Sequence, residues 1–152
     1  MLKEVTQDKK QYLSLLLLGD ESEVMIDRYL DRGRMFILEI EGHVLGLVVV
    51  TREDQDSLEI QNLAIAPEYQ RKGWGRYILD QVAELFADDY HRLVAGTGDS
   101  PLTLAFYRAC GFAEFKRLPN FFLDHYEKPI YEEGHLLKDK VCLQRHLWTV
   151  SY

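Results

Sequence analysis

The residues best suited to chemistry in this chain are Gln70-Arg71-Lys72-Gly73-Trp74-Gly75-Arg76, which follow directly on the apolar segment Leu58–Ala66. The pattern reads as a strand, a short glycine loop and an amphipathic helix beginning near Gly73. Such a turn lines up backbone N–H groups at a helix N-terminus, where the helix dipole favours an anion. Gly73 and Gly75 carry no Cβ, so an anion can approach the main chain closely. Arg71, Lys72 and Arg76 add positive charge around it. The guest this arrangement suits is a pyrophosphate.

Other reactive groups are sparse. Cys110 and Cys142 are the two cysteines and show no metal-type spacing, so they read as reduced thiols and no metal is expected. Walker A requires Gly-x-x-x-x-Gly-Lys-Ser/Thr, which is absent, and the dinucleotide fingerprint lacks its third glycine. On a half-buried strand Glu59 and Gln61 share one face, with Leu58 and Ile60 on the other. Tyr107, an aromatic on an amphipathic helix, reads from composition as core. The segment Phe121–Tyr126 groups aromatics with Asp124 and His125.

The elements that must position these residues follow from periodicity and punctuation. Leu2–Val5 reads as a short strand, and Thr6 as the N-cap of a helix from Gln7 to about Leu18. A second helix is expected over about Glu21–Asp31, stopped by Gly33. Met35–Ile40 and Val44–Val50 are strands joined by the hairpin signal Glu41-Gly42, and Leu58–Ala66 completes the meander. A helix from the glycine loop to about Ala87 carries Tyr77, Ile78, Val82, Leu85 and Phe86 as its apolar stripe. Arg92–Ala95 is a short buried-type strand, followed by a loop Gly96-Thr97-Gly98-Asp99. Pro101–Ala109 is a helix ended by Gly111, and Phe112–Lys116 and Val141–His146 are closing strands. Pro119–Lys140 is aromatic-rich and matches no single pattern. The passage from Leu58–Ala66 through the helix to Arg92–Ala95 predicts a parallel βαβ unit. A mixed sheet with helices on both faces follows, an α/β (α+β) three-layer domain spanning 1–152.

This order, with Gln-x-x-Gly-x-Gly at the first crossover, resembles the GNAT superfamily of acetyl-CoA-dependent N-acetyltransferases. Asn62-Leu63-Ala64-Ile65-Ala66-Pro67-Glu68-Tyr69-Gln70 is similar to the family's strand-to-loop passage, and Phe106-Tyr107-Arg108-Ala109-Cys110-Gly111-Phe112 to the end of its fourth helix. The resemblance is specific over roughly 35–116 and loose outside it. It implies that the amides from Arg71 to Arg76 cradle the CoA pyrophosphate, with Gln70 opening the turn. It implies that the pantetheine arm pairs with the strand edge at Leu63, Ala64 and Ile65. The Leu63 N–H would face the thioester carbonyl as negative charge develops there. Tyr107 would serve the departing thiolate, and Glu59 or a water would take the amine proton. For Glu59 a solvated strand face stays equally open, and His125, Tyr126 and Asp124 are further candidates for the base. Phe36, Asn120, Phe121, Phe122, His125 and Tyr126 would line the acceptor pocket, the aromatic segment serving otherwise as a dimer contact.

Bulk properties exclude several classes. With 152 residues, 47% hydrophobic and 28% charged, the chain has the length and composition of one folded domain. Its net charge of −7 and lack of a Lys/Arg cluster argue against nucleic-acid binding and lean towards a cationic amine. Leu15–Leu18 is too short to span a bilayer and no leader pattern is present, so a cytoplasmic protein without membrane contact is expected. The expected activity is acetyl transfer from acetyl-CoA to a primary amine of a small molecule or peptide. A non-catalytic acyl-CoA-binding or sensor module and a nucleotide-binding protein stay open as rivals, as does a homodimer.

Overall fold

The computed structural model describes residues 2–147; Met1 and residues 148–152, the ends of the domain expected over 1–152, lie outside the described residues. Strands β1 (Leu2–Val5), β2 (Arg34–Ile40), β3 (His43–Arg52), β4 (Ser57–Ile65), β5 (Arg92–Gly98), β6 (Ala113–Leu118) and β9 (Lys140–His146) form one sheet in the order β1-β2-β3-β4-β5-β9-β6. Every pairing is antiparallel except β4 with β5. Tyr131–Glu132 (β7) and His135–Leu136 (β8) make a separate two-stranded hairpin. The helices are α1 (Leu13–Gly19), α2 (Glu23–Asp27), α3 (Trp74–Phe86), α4 (Pro101–Ala109) and α5 (Phe121–His125).

Alternation along the strands builds two cores. Phe36, Leu38, Leu58, Ile60 and Leu93 pack with Ile78, Leu79, Val82 and Phe86 of α3 and Leu104 and Tyr107 of α4. Met35, Ile37, Leu47 and Val49 point the other way and pack with Leu16 of α1 and Ile26 of α2. The result is a three-layer α/β fold with helices on both faces. Each fully buried large apolar side chain of α3 contributes roughly 2 kcal/mol, which pins the helix that follows the glycine loop. The β2–β3 hairpin turns at Glu41 and Gly42, both left-handed (φ 51° and 81°), the geometry of a type I′ turn.

Three local expectations need correction. Thr6 does not cap a long first helix: Asp8, at φ 52°, precedes a 3-10 turn over Lys9–Tyr12, and α1 starts at Leu13. The second helix is only Glu23–Asp27, capped by the Ser22 hydroxyl accepting from the Met25 N–H at 3.2 Å. Gly96-Thr97-Gly98 is strand rather than loop, because β9 supplies ladder partners at Cys142, Val141 and Lys140. Tertiary pairing overrides the weak strand propensity of glycine there.

Candidate active site

The glycine loop has the geometry of an anion nest. A 3-10 turn at Pro67–Tyr69 leads to Gln70, whose side chain donates to the Ile65 carbonyl at 2.8 Å and holds the loop against the end of β4. Arg71 and Gly73 both occupy the left-handed region, at φ 62° and 89°. Alternation of this kind turns successive N–H groups towards one concavity. The first backbone bond of α3 runs from Tyr77 N–H to the Gly73 carbonyl at 3.0 Å, leaving the amides of Trp74, Gly75 and Arg76 without a carbonyl four residues back. A Cβ on Gly73 would meet nothing within 4 Å, so the loop mouth is open. Gly75 instead lies under Phe106, whose Cζ would stand 3.0 Å from an added Cβ. Together they open onto a groove of about 510 Å³ that also includes Leu63, Arg71 and Arg76. Lys72 is exposed and outside that lining, and Arg71 pairs with Glu133 at 3.7 Å on the surface.

The sheet splits where this groove ends. The β4–β5 ladder runs from Ser57↔Arg92 to Ile60↔Ala95 and stops. Beyond it Asn62–Ile65 pair only with β3, and Gly96–Gly98 only with β9. A bulge accompanies the split: Val49 faces Asn62 and Val50 faces Ile60, so Gln61 is the extra residue. The bulge reverses the alternation, so Ile60 and Leu63 both pack towards α3 and α4, while Ala64 is buried among the α1 and α2 contacts. Leu63 and Tyr107 thereby line one small chamber of about 200 Å³. The Tyr107 ring packs edge-on against Phe106 and Phe112. Burial holds its phenol well above the ordinary tyrosine value, in the protonated form that can donate. Cys110, behind it, is also buried, and burial pushes its thiol up, away from the reactive thiolate.

On the far side the chamber continues into an outer cavity of about 280 Å³, sharing Leu18, Gly19, Gln61, Gly96, Thr97 and Glu132 with it. Leu63, Thr103 and Phe106 line both the chamber and the glycine-loop groove, so the three cavities adjoin one another in a row. Phe121, Phe122 and Tyr126 line the outer cavity. Asn120 and His125 do not: both are exposed, Asn120 capping α5 at φ 58° and His125 stacked on Phe121 at 4.5 Å. Phe36 requires the plainest correction. It is a core residue, its ring 6.0 Å from that of Phe86, because its position on β2 points it under α3.

Glu59 sits one step behind this row. Gln61 Nε2 donates to Glu59 Oε2 at 2.6 Å and to Thr51 Oγ1 at 3.0 Å, and Thr51 Oγ1 donates to Glu53 at 2.9 Å. Burial raises the Glu59 carboxyl above its ordinary value; nearby Lys140 opposes the shift, and Glu53 reinforces it. Asp20, in the Gly19-Asp20 break between the first two expected helices, carries no sequence signal of a site. It lines the outer cavity and accepts from Tyr126 Oη at 2.9 Å and Tyr29 Oη at 3.2 Å. Burial raises its carboxyl too, against the pull of those hydrogen bonds. Asn62 Nδ2 extends the chain by donating to Tyr29 Oη at 3.1 Å and to the Leu16 carbonyl at 2.9 Å. Its Oδ1, buried under Gly19, lacks a partner among the described residues.

An amide-lined groove, an unpaired strand edge and a buried phenol thus lie side by side. Comparison with known proteins shows the family. The acetyltransferase (GNAT) domain family matches residues 31–114, and the chain belongs to the GNAT acetyltransferases. It is 33% identical over 144 residues to the uncharacterized N-acetyltransferase YvbK of Bacillus subtilis (strain 168), spanning 93% of this chain and 92% of that protein. Among solved structures, a GNAT family acetyltransferase from Elizabethkingia anophelis with acetyl-CoA bound superposes with a TM-score of 0.91 at 32% identity, covering 97% of each chain. The IAA acetyltransferase from Bacillus cereus ATCC 14579 gives 0.89 at 33% identity, over 97% of this chain and 99% of that one. Among the described residues no helix is long and apolar enough to cross a membrane.

Proposed function

We propose that the chain, as one domain, moves the acetyl group of acetyl-CoA to a primary amine by direct attack in a ternary complex. The observation that carries the reading is the row of adjoining cavities from the glycine-loop groove, past Leu63 and Tyr107, to the one lined by Asp20 and the aromatics. The amides from Arg71 to Arg76 hold the pyrophosphate, and the free edge at Leu63–Ile65 pairs with the pantetheine arm. Holding donor and acceptor face to face supplies much of the rate.

The amine lone pair attacks the thioester carbon, a C–N bond forms and the C–S bond breaks. The Leu63 N–H stabilises the negative charge that develops on the carbonyl oxygen. Tyr107 gives its proton to the departing thiolate. The amine's proton passes to a carboxylate whose pKa burial has raised, and solvent returns a proton to Tyr107. Glu59, reached through a water past Gln61, is one such carboxylate. Asp20 is the second, favoured by its direct place on the cavity wall.

Release of CoA thiol over an amine panel tests the reading. Turnover that needs both acetyl-CoA and an amine supports it. Tight acetyl-CoA binding without turnover on any amine would leave a binding module, and preference for ATP or NAD over acetyl-CoA in thermal-shift competition would refute the donor assignment.

A further inference from the structure

The outer cavity holds two cations that make no ion pair at contact distance with its acids. Asp20 already accepts from two tyrosine hydroxyls and from the Ser22 N–H at 3.3 Å. Glu132 accepts from Thr103 Oγ1 at 2.9 Å, and Glu21 is exposed at the rim. Of the cations, Arg32 is tied to Glu53 at 3.1 Å. The Arg28 guanidinium makes no hydrogen bond or ion pair among the described residues, and Lys140 Nζ, although Asp20 and Glu59 act on it through space, forms no direct ion pair there. Lys140 instead lies 4.9 Å from the centre of the Phe121 ring.

The fold makes room for this lysine. Its stem crosses β5 at Gly96, where any Cβ would overlap Lys140 Cε. Lys140 is half-buried, as are Phe121, Phe122 and Tyr126 beside it. The Asp20 and Glu59 carboxylates act on this ammonium only through space and not in contact, so a carboxylate on the ligand would be the first anion to pair with it directly. A polyamine entering here would meet Lys140 and Arg28 as like charges, and the carboxylates of Asp20 and Glu132 already hold protein donors, which tells against the lean given by the acidic net charge.

We infer that the acceptor carries a carboxylate beside its amine, an amino-acid-like zwitterion with an apolar or aromatic body, held by Lys140 and Arg28. The aromatic walls take its body. Its amine faces the inner chamber, where Asn62 Oδ1 is a buried acceptor still lacking a donor. The amine half of this inference rests on the acetyl-transfer reading, whereas carboxylate recognition does not.

The test pairs each carboxylate-bearing amine with its decarboxylated twin: L-phenylalanine with phenethylamine, and L-tryptophan with tryptamine, with spermidine as a polycation. Calorimetry on the CoA-loaded protein measures binding, and thiol release measures transfer. The amino acids are expected to bind at least about tenfold more tightly than their twins, and K140M to erase that ratio while leaving the acetyl-CoA affinity unchanged. R28Q should narrow the ratio and guards against K140M acting through folding. Equal or weaker binding of the amino acids, absence of binding by all, or a ratio that survives K140M would overturn the inference. Transfer to amines without any carboxylate preference would overturn it while leaving the acetyltransferase reading intact. Tight, Lys140-dependent amino-acid binding with no transfer would do the reverse.

Discussion

Tyr107→Phe separates catalysis from stability more cleanly than any other substitution. The Tyr107 hydroxyl makes no hydrogen bond among the described residues, although its ring packs against Phe106 and Phe112. Deleting the oxygen therefore breaks no contact within the fold, and it removes a polar group from a site only 8% exposed. The expected change in folding stability is within about 1 kcal/mol and of neutral or stabilising sign. For a chain of this size that is a Tm shift of no more than roughly 2–4 °C. A proton donor to the leaving thiolate is worth about 10²–10⁴ in rate, so the barrier should rise by at least about 2.7 kcal/mol. Thermal denaturation and single-turnover acetyl transfer at saturating acetyl-CoA read the two quantities separately. A transfer rate unchanged by the substitution would refute the assigned role. A Tm loss well beyond this range would show that the hydroxyl serves the fold, and the rate effect could then not be assigned to proton donation.

Glu59→Gln should stabilise the fold in a pH-dependent way. Burial raises this carboxyl above its ordinary 4.5, so its favourable contribution is complete below that value and is lost as pH rises through the folded-state pKa. The variant and the parent should melt together near about pH 4, and the variant should melt higher by about pH 8; a pH-independent difference would contradict the shift. Gly75→Ala places a Cβ 3.0 Å from Phe106 Cζ and pushes that ring into the groove, so the KM for acetyl-CoA should rise about tenfold with little change in kcat. An unchanged KM would mean that the ring has room to move elsewhere. Asn62→Ala removes the bonds to Leu16 and Tyr29 and should cost about 1–2 kcal/mol, offset in part by losing the unpartnered Oδ1, as urea denaturation would measure. No loss would mean that water replaces both bonds.

The parts of the molecule legible in the sequence are those decided within a few residues. Pro101 and Gly111 bracket α4, and its bounds agree residue for residue with the expectation. Glu41-Gly42 marks its hairpin because only residues tolerant of positive φ suit such a turn. The nest from Arg71 to Gly73 is local in the same sense. The acceptor cavity is not. Its Asp20–Tyr126 hydrogen bond joins residues 106 positions apart, and no spacing announces that a helix-breaking aspartate will meet a tyrosine from the aromatic segment. Lys140 was visible only as the end of an unassigned stretch, because its place over Gly96 depends on the β5–β9 register. Phe36 misled for the opposite reason: an aromatic near a candidate pocket in sequence faces the other side of its strand.

The split between β4 and β5 leaves the two halves of the site written in different materials. On the proposed reading, the donor half from Gln61 to Ile65 offers main-chain groups, which every residue but proline supplies, whereas Asp20, Arg28, Phe121 and Lys140 on the acceptor half would act through side chains. Point mutation can rewrite the second half freely and the first hardly at all. If the two halves are as proposed, a lineage built on this scaffold would change what receives the acyl group in a few steps, while the molecule that delivers it stays the same.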